Sequence, residues 1–249
     1  MTHISRWSLA LADIILPRMC IACGERLLLN EKHICLHCLA DLPLTHFWER
    51  AHNPMANKFN AVIQADLKEY ERYAFAAALF FFSSDAPYRH ILYNIKYEGR
   101  VDIGRHFGKM LGALLASSET FRDVDCVMPV PLHWIRRWRR GYNQAEVIAR
   151  EVAAQLGAPL DCSTLVRRRR TRTQTKLDVK DKTANVSGAF KVRKSTQGSE
   201  GQPQLKHILL IDDLFTTGST LHACYAALRS VFPPEVRISV ATLGFVGEA

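Results

Sequence analysis

The chain has 249 residues, 48% of them apolar, which allows one good-sized core with a small accessory module. Its formal net charge of +9 suits anionic partners, whether phosphorylated metabolites, nucleic acid or acidic surfaces. Seven cysteines, an odd number with four crowded between positions 20 and 38, exclude a secreted disulfide framework and fit a reducing cytosol, so a cytoplasmic location is expected.

In residues 1–19 an apolar stretch follows Arg6. Asp13 interrupts it, Pro17-Arg18 replaces a small-residue cleavage site, and it is too short to span a bilayer. Leu9, Leu11, Ala12, Ile15 and Leu16 keep near-helical spacing, predicting a short amphipathic helix packed on the body, without stable membrane insertion. Next come Cys20-x2-Cys23 and Cys35-x2-Cys38. Each pair sets two thiolates on a tight turn, and two pairs make a closed, structural four-cysteine zinc site. Gly24 suits the first turn, while His33 and His37 offer a substitute ligand or an outer layer.

Residues 41–73 are weakly periodic and punctuated by Pro43, Asn53-Pro54 and Asn57, which reads as a connector in which His46 and His52 are solvated. A strand is expected over 74–82, then a helix over 87–99 with Ile91, Leu92 and Ile95 on one face, broken at Lys96-Tyr97-Glu98-Gly99. A second helix over 103–115 carries Phe107, Met110, Leu111 and Leu114 on one stripe. The buried strand at 125–130 ends in Pro129-Val130-Pro131, where the prolines should stop the ladder. Behind it Arg136, Arg137, Arg139 and Arg140 interleave with Trp134, Trp138 and Tyr142, before a helix over 145–156 that Gly157 ends. A basic loop between strand end and helix start is where anions bind in open α/β sheets. Residues 167–172 are the densest basic block, open to three readings: a loop closing over a site, a nucleic-acid contact, or a solvated charge run. Residues 191–206 read as a loop.

Four apolar residues at 208–211 describe a strand buried on both faces, expected to end in Asp212-Asp213. Thr216, Thr217, Gly218, Ser219 and Thr220 follow, then a helix over 221–231 and a final strand over 236–245. Strand, acidic pair, hydroxyl-rich turn and helix start describe a phosphate site: backbone N–H groups and the helix dipole favour an anion, and the hydroxyls donate to its oxygens. Cys126, Cys162 and Cys224 read as core thiols.

The run Asp212-Asp213-x2-Thr216-Thr217-Gly218-x-Thr220 resembles the signature of type I phosphoribosyltransferases. That resemblance implies an open, mainly parallel α/β sheet with flanking helices. It implies that the acids hold the ribose hydroxyls of 5-phosphoribosyl 1-diphosphate (PRPP), that residues 216–220 hold its 5-phosphate, and that Mg²⁺ accompanies the diphosphate. Pro129 and Pro131, then Arg140-Gly141-Tyr142-Asn143-Gln144, narrow the resemblance to the ComF/GntX family of competence-associated and DNA-utilisation proteins. Arg170, Thr173 (with Thr171 as another candidate), Gln174, Leu177, Asn185 and Ala189-Phe190 follow that family's later run, with Lys182 where an arginine is expected. Arg136, Arg137, Arg139, Arg140, Arg169, Arg170 and Lys182 would then face the diphosphate. The implied division is a zinc module over 1–45, a connector or hood over 46–73 and a transferase-like domain over 74–249. The same resemblance leaves a second reading open, a non-catalytic competence factor that handles single-stranded DNA, with other competence proteins as partners.

Overall fold

The computed structural model describes residues 16–66, 71–132, 135, 138, 140–167, 189–193 and 205–247. Most of the helix expected in residues 1–19 lies outside them. After the first cysteine turn, a short helix α1 (Leu36–Ala40) starts at Cys35, whose sulfur accepts from the Cys38 N–H. The connector contains an element that periodicity missed, α2 (Pro54–Asp66). Asn53-Pro54 starts this helix and does not mark a loop: Asn53 Oδ1 accepts from the Ala56 N–H at 2.9 Å, and proline fits the first helical position, where its missing N–H is not needed. Asn53 Nδ2 also donates to Ala76 O at 2.9 Å, and Asn60 bonds both the N–H and the C=O of Ala74, so two asparagines tie α2 to the strand beside it.

That strand is β1 (Ala76–Phe81), followed by α3 (Arg89–Tyr97) and α4 (Val101–Ala116). Next come β2 (Cys126–Pro129), α5 (Gln144–Leu156), a hairpin of β3 (Leu165–Arg167) and β4 (Phe190–Val192), then β5 (His207–Phe215), α6 (Ser219–Arg229) and β6 (Arg237–Phe245). The main sheet is four-stranded in the order β1-β6-β5-β2, every pair parallel. Ile208 to Ile211 are wholly buried at its centre, as an uninterrupted apolar run requires when both faces are covered. Pro129 does not stop the ladder: it pairs with Ile211, and the Val130 N–H donates to Ile211 O at 2.8 Å. Proline is tolerated there because β2 is an edge strand.

Helices α4 and α5 lie on one face at unusually close range. Gly104, Gly108 and Gly112 recur every fourth residue, and a Cβ on Gly112 would stand 2.9 Å from Val152 Cα. Because all strands of the main sheet are parallel, the C-terminal ends of β2 and β5 open on the same edge, together with the N-termini of α5 and α6.

Candidate functional site

Strand β5 continues past its acidic pair to Phe215, because Asp212, Leu214 and Phe215 pair with Thr242, Gly244 and Phe245. The two carboxylates are therefore held on a strand and not on a loop. The Asp213 N–H donates to Asp212 Oδ1 at 2.9 Å, and Lys96 Nζ lies 3.0 Å from Asp213 Oδ1. Burial, with the Asp213 charge beside it, pushes the Asp212 carboxyl up to about 7; Lys96 and Arg167 only partly oppose this.

The turn after β5 leads into α6 through Gly218, whose φ of 77° is left-handed. Its hydrogen has a second cause besides access for a ligand: a Cβ there would come within 2.8 Å of the Phe215 ring. Thr217 Oγ1 donates to Ser219 Oγ at 3.1 Å and accepts from the Ser219 N–H, while Thr216 and Thr220 face a cavity of about 300 Å³ shared with Asp212 and Asp213. Lys58 of α2 donates to Thr216 O at 2.8 Å, so the connector reaches the turn.

The opposite wall of that cavity is the start of α5. Asn143 caps the helix by accepting from the Ala145 N–H at 3.2 Å, and its Nδ2 donates to Val130 O at 3.0 Å, fixing the strand exit to the helix start. Gln144 is 2% exposed and lines the cavity, and its Nε2 has no hydrogen-bond partner among the described residues. A buried amide donor left unpaired is costly, which points to a ligand atom there. Arg140 and Pro131 complete this wall, with Gly141 at φ 78° between the basic run and the cap. Arg167, at the end of β3, lines the same space, and its guanidinium lies 5.1 Å from the Phe190 ring centroid across the hairpin. Of the remaining expected residues, Arg136, Arg137, Arg139, Arg169, Arg170, Gln174, Lys182 and Asn185 lie outside the described residues.

At the other end of the chain, Cys20, Cys23, Cys35 and Cys38 converge, all four sulfurs within 4.8 Å of one another. Thiolates about 2.3 Å from a tetrahedral zinc stand about 3.8 Å apart, and the Cys23 and Cys35 sulfurs are 3.8 Å apart. Burial pushes the Cys20 thiol up, but N–H groups of Cys23, Cys35 and Ala22 outweigh it and bring it down to about 7; burial raises Cys38. The donor set fits a zinc ion without help from histidine. His33 instead points its Nδ1 at Asp102 of α4, 3.5 Å away, and exposed His37 pairs with Asp41.

Residues 143–244 match the phosphoribosyl transferase domain family. Competence protein F of Haemophilus influenzae is 28% identical over 155 residues, which are 61% of this chain and 66% of that protein. The DNA utilization protein YhgH of Salmonella typhimurium is 31% identical over 138 residues, 54% of this chain and 58% of that protein, and its counterpart in Escherichia coli K12 is 29% identical over the same length. The chain is therefore similar to phosphoribosyl transferase domains and to proteins named for competence and DNA utilization. The matches span 58 to 66% of these relatives' own length. No helix among the described residues is long and apolar enough to cross a membrane.

Three residues at this site escaped sequence reasoning. Lys96 looked like a helix-ending lysine, and Lys58 sat in a segment read as connector. Tyr97, whose ring lies 5.3 Å from the Arg140 guanidinium, looked like part of a helix break. Only the spacing of Lys96 and Tyr97 from the buried Ile91, Leu92 and Ile95 of α3 could have placed them beyond the last apolar turn, at the sheet's open edge.

Proposed function

We propose that the cavity between β5, α5 and α6 binds PRPP and that the protein transfers its phosphoribosyl group to a nitrogen acceptor. One observation carries this reading: an acidic pair and a hydroxyl turn at the head of α6 face a second helix start whose buried Gln144 amide lacks a partner among the described residues. Asp212 and Asp213 would accept from the ribose hydroxyls. Thr216, Thr220 and the N–H groups of residues 217–220 would hold the 5-phosphate, with Thr217, Gly218 and Ser219 shaping the turn. Gln144, Arg140 and the start of α5 would face the diphosphate, joined by the basic residues at 136–139 and 167–182. In the transfer, the bond from the anomeric carbon to the diphosphate oxygen breaks as the carbon–nitrogen bond forms, and the acceptor nitrogen gives up its proton. Positive charge on the ring and negative charge on the leaving group are met by fixed groups, so positioning and electrostatics do the work. Asp212 and Asp213, the two carboxylates lining the cavity among the described residues, are hard oxygen donors that fit Mg²⁺ arriving with the diphosphate, where it would neutralise leaving-group charge.

The four cysteines would hold zinc as a structural ion. Residues 46–73 would act as the hood over a transferase domain spanning 74–249, a division supported by the Lys58–Thr216 bond. Calorimetry with Mg²⁺ and PRPP on the native protein and on Asp212→Asn/Asp213→Asn tests the site: micromolar binding that the double variant loses is expected, and no binding to the native protein overturns it. Metal analysis of protein purified without chelators should return one zinc per chain.

A second reading has its own support. Trp138, 83% exposed, stands two positions before Arg140 in sequence, a mixture that stacks bases and tracks phosphates, and the relatives are named for competence and DNA utilization. In this reading the protein handles single-stranded DNA in the cytoplasm. Single-strand affinity falling steeply with salt would support it, and absence of binding at low salt would end it.

A further inference from the structure

The turn that leads into α6 is gripped from outside by a residue beyond the signature, Lys58 of α2. Phe59, the next residue, is wholly buried, with its ring centroid 6.3 Å from that of Phe215 and 5.9 Å from that of Tyr225. A Cβ on Gly218 would stand 3.6 Å from Phe59 Cδ2, so α2 packs directly behind the turn. That packing sets the Lys58 backbone. Its side chain brings the ammonium 5.9 Å from the Phe215 ring centroid and donates to Thr216 O at 2.8 Å.

The peptide between Thr216 and Thr217 is trans. In a planar trans peptide the C=O and the following N–H point in opposite directions. An ammonium on the Thr216 oxygen therefore turns the Thr217 N–H away from Lys58. Thr216 lines the cavity, and no hydrogen bond among the described residues uses the Thr217 N–H. Resting on the phosphoribosyl reading, we propose that Lys58 is a positioning residue, which fixes this peptide so that the Thr217 N–H donates to the 5-phosphate. A flipped peptide would aim its carbonyl oxygen at the anion and repel it. With the oxygen held, the donor is in place before the ligand arrives, and less ordering opposes binding. The ammonium also adds positive potential at the head of α6, beside that of the helix N-terminus. Its influence belongs to the 5-phosphate end of the cavity, because the groups that would face the diphosphate stand on the opposite wall, at the start of α5.

That polarity gives the test. PRPP, ribose 5-phosphate, inorganic diphosphate and inorganic phosphate, each with Mg²⁺, would be titrated by calorimetry into the native protein, Lys58→Met and Lys58→Arg. Lys58 is exposed, so its replacement should leave the melting temperature within a few degrees of native. We expect PRPP and ribose 5-phosphate to bind about tenfold more weakly in Lys58→Met and within about threefold of native in Lys58→Arg, which restores a donor, while diphosphate keeps its native Kd in both. A merely structural role would move every ligand together or none. If Lys58→Met binds ribose 5-phosphate like the native protein, or loses diphosphate to the same degree, the proposal falls and the phosphoribosyl reading stands. If the native protein binds neither PRPP nor ribose 5-phosphate but binds inorganic phosphate in a Lys58-dependent way, the phosphoribosyl reading falls and the Lys58-held anion turn stands. No binding of any of the four overturns both.

Discussion

The chemistry of the acidic pair turns on Asp212. Its carboxyl, near 3.8 in an ordinary setting, rises to about 7 because burial and the neighbouring Asp213 disfavour a second negative charge. A ribose hydroxyl donates best to an ionised carboxylate, so PRPP binding should expel a proton near neutrality. We expect affinity to climb up to about tenfold per pH unit between pH 6 and 7 and to level off above pH 8, with calorimetric enthalpies that depend on buffer ionisation. The free protein runs in the opposite sense. Unfolded Asp212 ionises first, so its contribution to stability is lost as pH rises from about 4 to 7. Lys96→Met takes the ammonium away from Asp213, leaving two carboxylates with less compensation. PRPP affinity should fall about tenfold or more, and its pH rise should move to higher pH. The motif Asp212 to Thr220 was legible in sequence because its spacing is local. Lys96 was not, since its partner lies 117 positions away (213 − 96) and only the fold joins them.

Among the elements, α3 to α6 and the four strands of the main sheet were readable from apolar periodicity, and their ends were not; the β3–β4 hairpin, whose second strand reaches into the 191–206 stretch read as a loop, was not readable. The β5 strand was expected to stop at charged residues, but ladder pairing with β6 carries it three residues beyond Asp212, to Phe215. Helix α2 was hidden because Asn53-Pro54 has the composition of a turn, and a cap and a turn use the same residues for the same backbone reasons. Helix α5 shows how packing reaches the site. Its N-terminus carries Asn143 and Gln144, and its middle is seated on the glycine stripe of α4. Gly112→Val would press against Val152 Cα and Gln155, where a Cβ already stands 2.9 Å away. We expect a loss of about 1–3 kcal/mol in urea unfolding. Because α5 must shift as a unit, PRPP affinity should weaken as well; an exposed control, Lys109→Ala on α4, should leave both nearly unchanged.

For the molecule as a whole, one strand links stability to ligand binding. His207 begins β5 at the sheet's other edge, buried, with Nδ1 2.8 Å from Asp123 Oδ1 and Nε2 2.8 Å from Ser239 Oγ. Burial holds its imidazole below the ordinary 6.5, against the opposing pull of Asp123. A histidine with a lowered folded pKa stays neutral in the native state while the unfolded chain takes up a proton. Its contribution is therefore complete above 6.5 and lost as pH falls through that value. His106, lowered chiefly by burial, acts in the same sense. Two ends of β5 thus respond to acid differently: at the His207 end the fold weakens, and at the Asp212 end the free carboxyl gains its proton and the ligand loses its acceptor. The stabilisation that PRPP confers on melting should accordingly be larger at pH 8 than at pH 6. In the free protein the loss at His207 and His106 from pH 7 to pH 5 opposes the gain at Asp212. Replacing His207 by glutamine, which keeps a hydrogen-bonding side chain without the titration, should therefore make urea resistance at pH 5, relative to pH 7, higher than in the native protein. If that ratio is unchanged in His207→Gln, the acid sensitivity of the fold lies elsewhere.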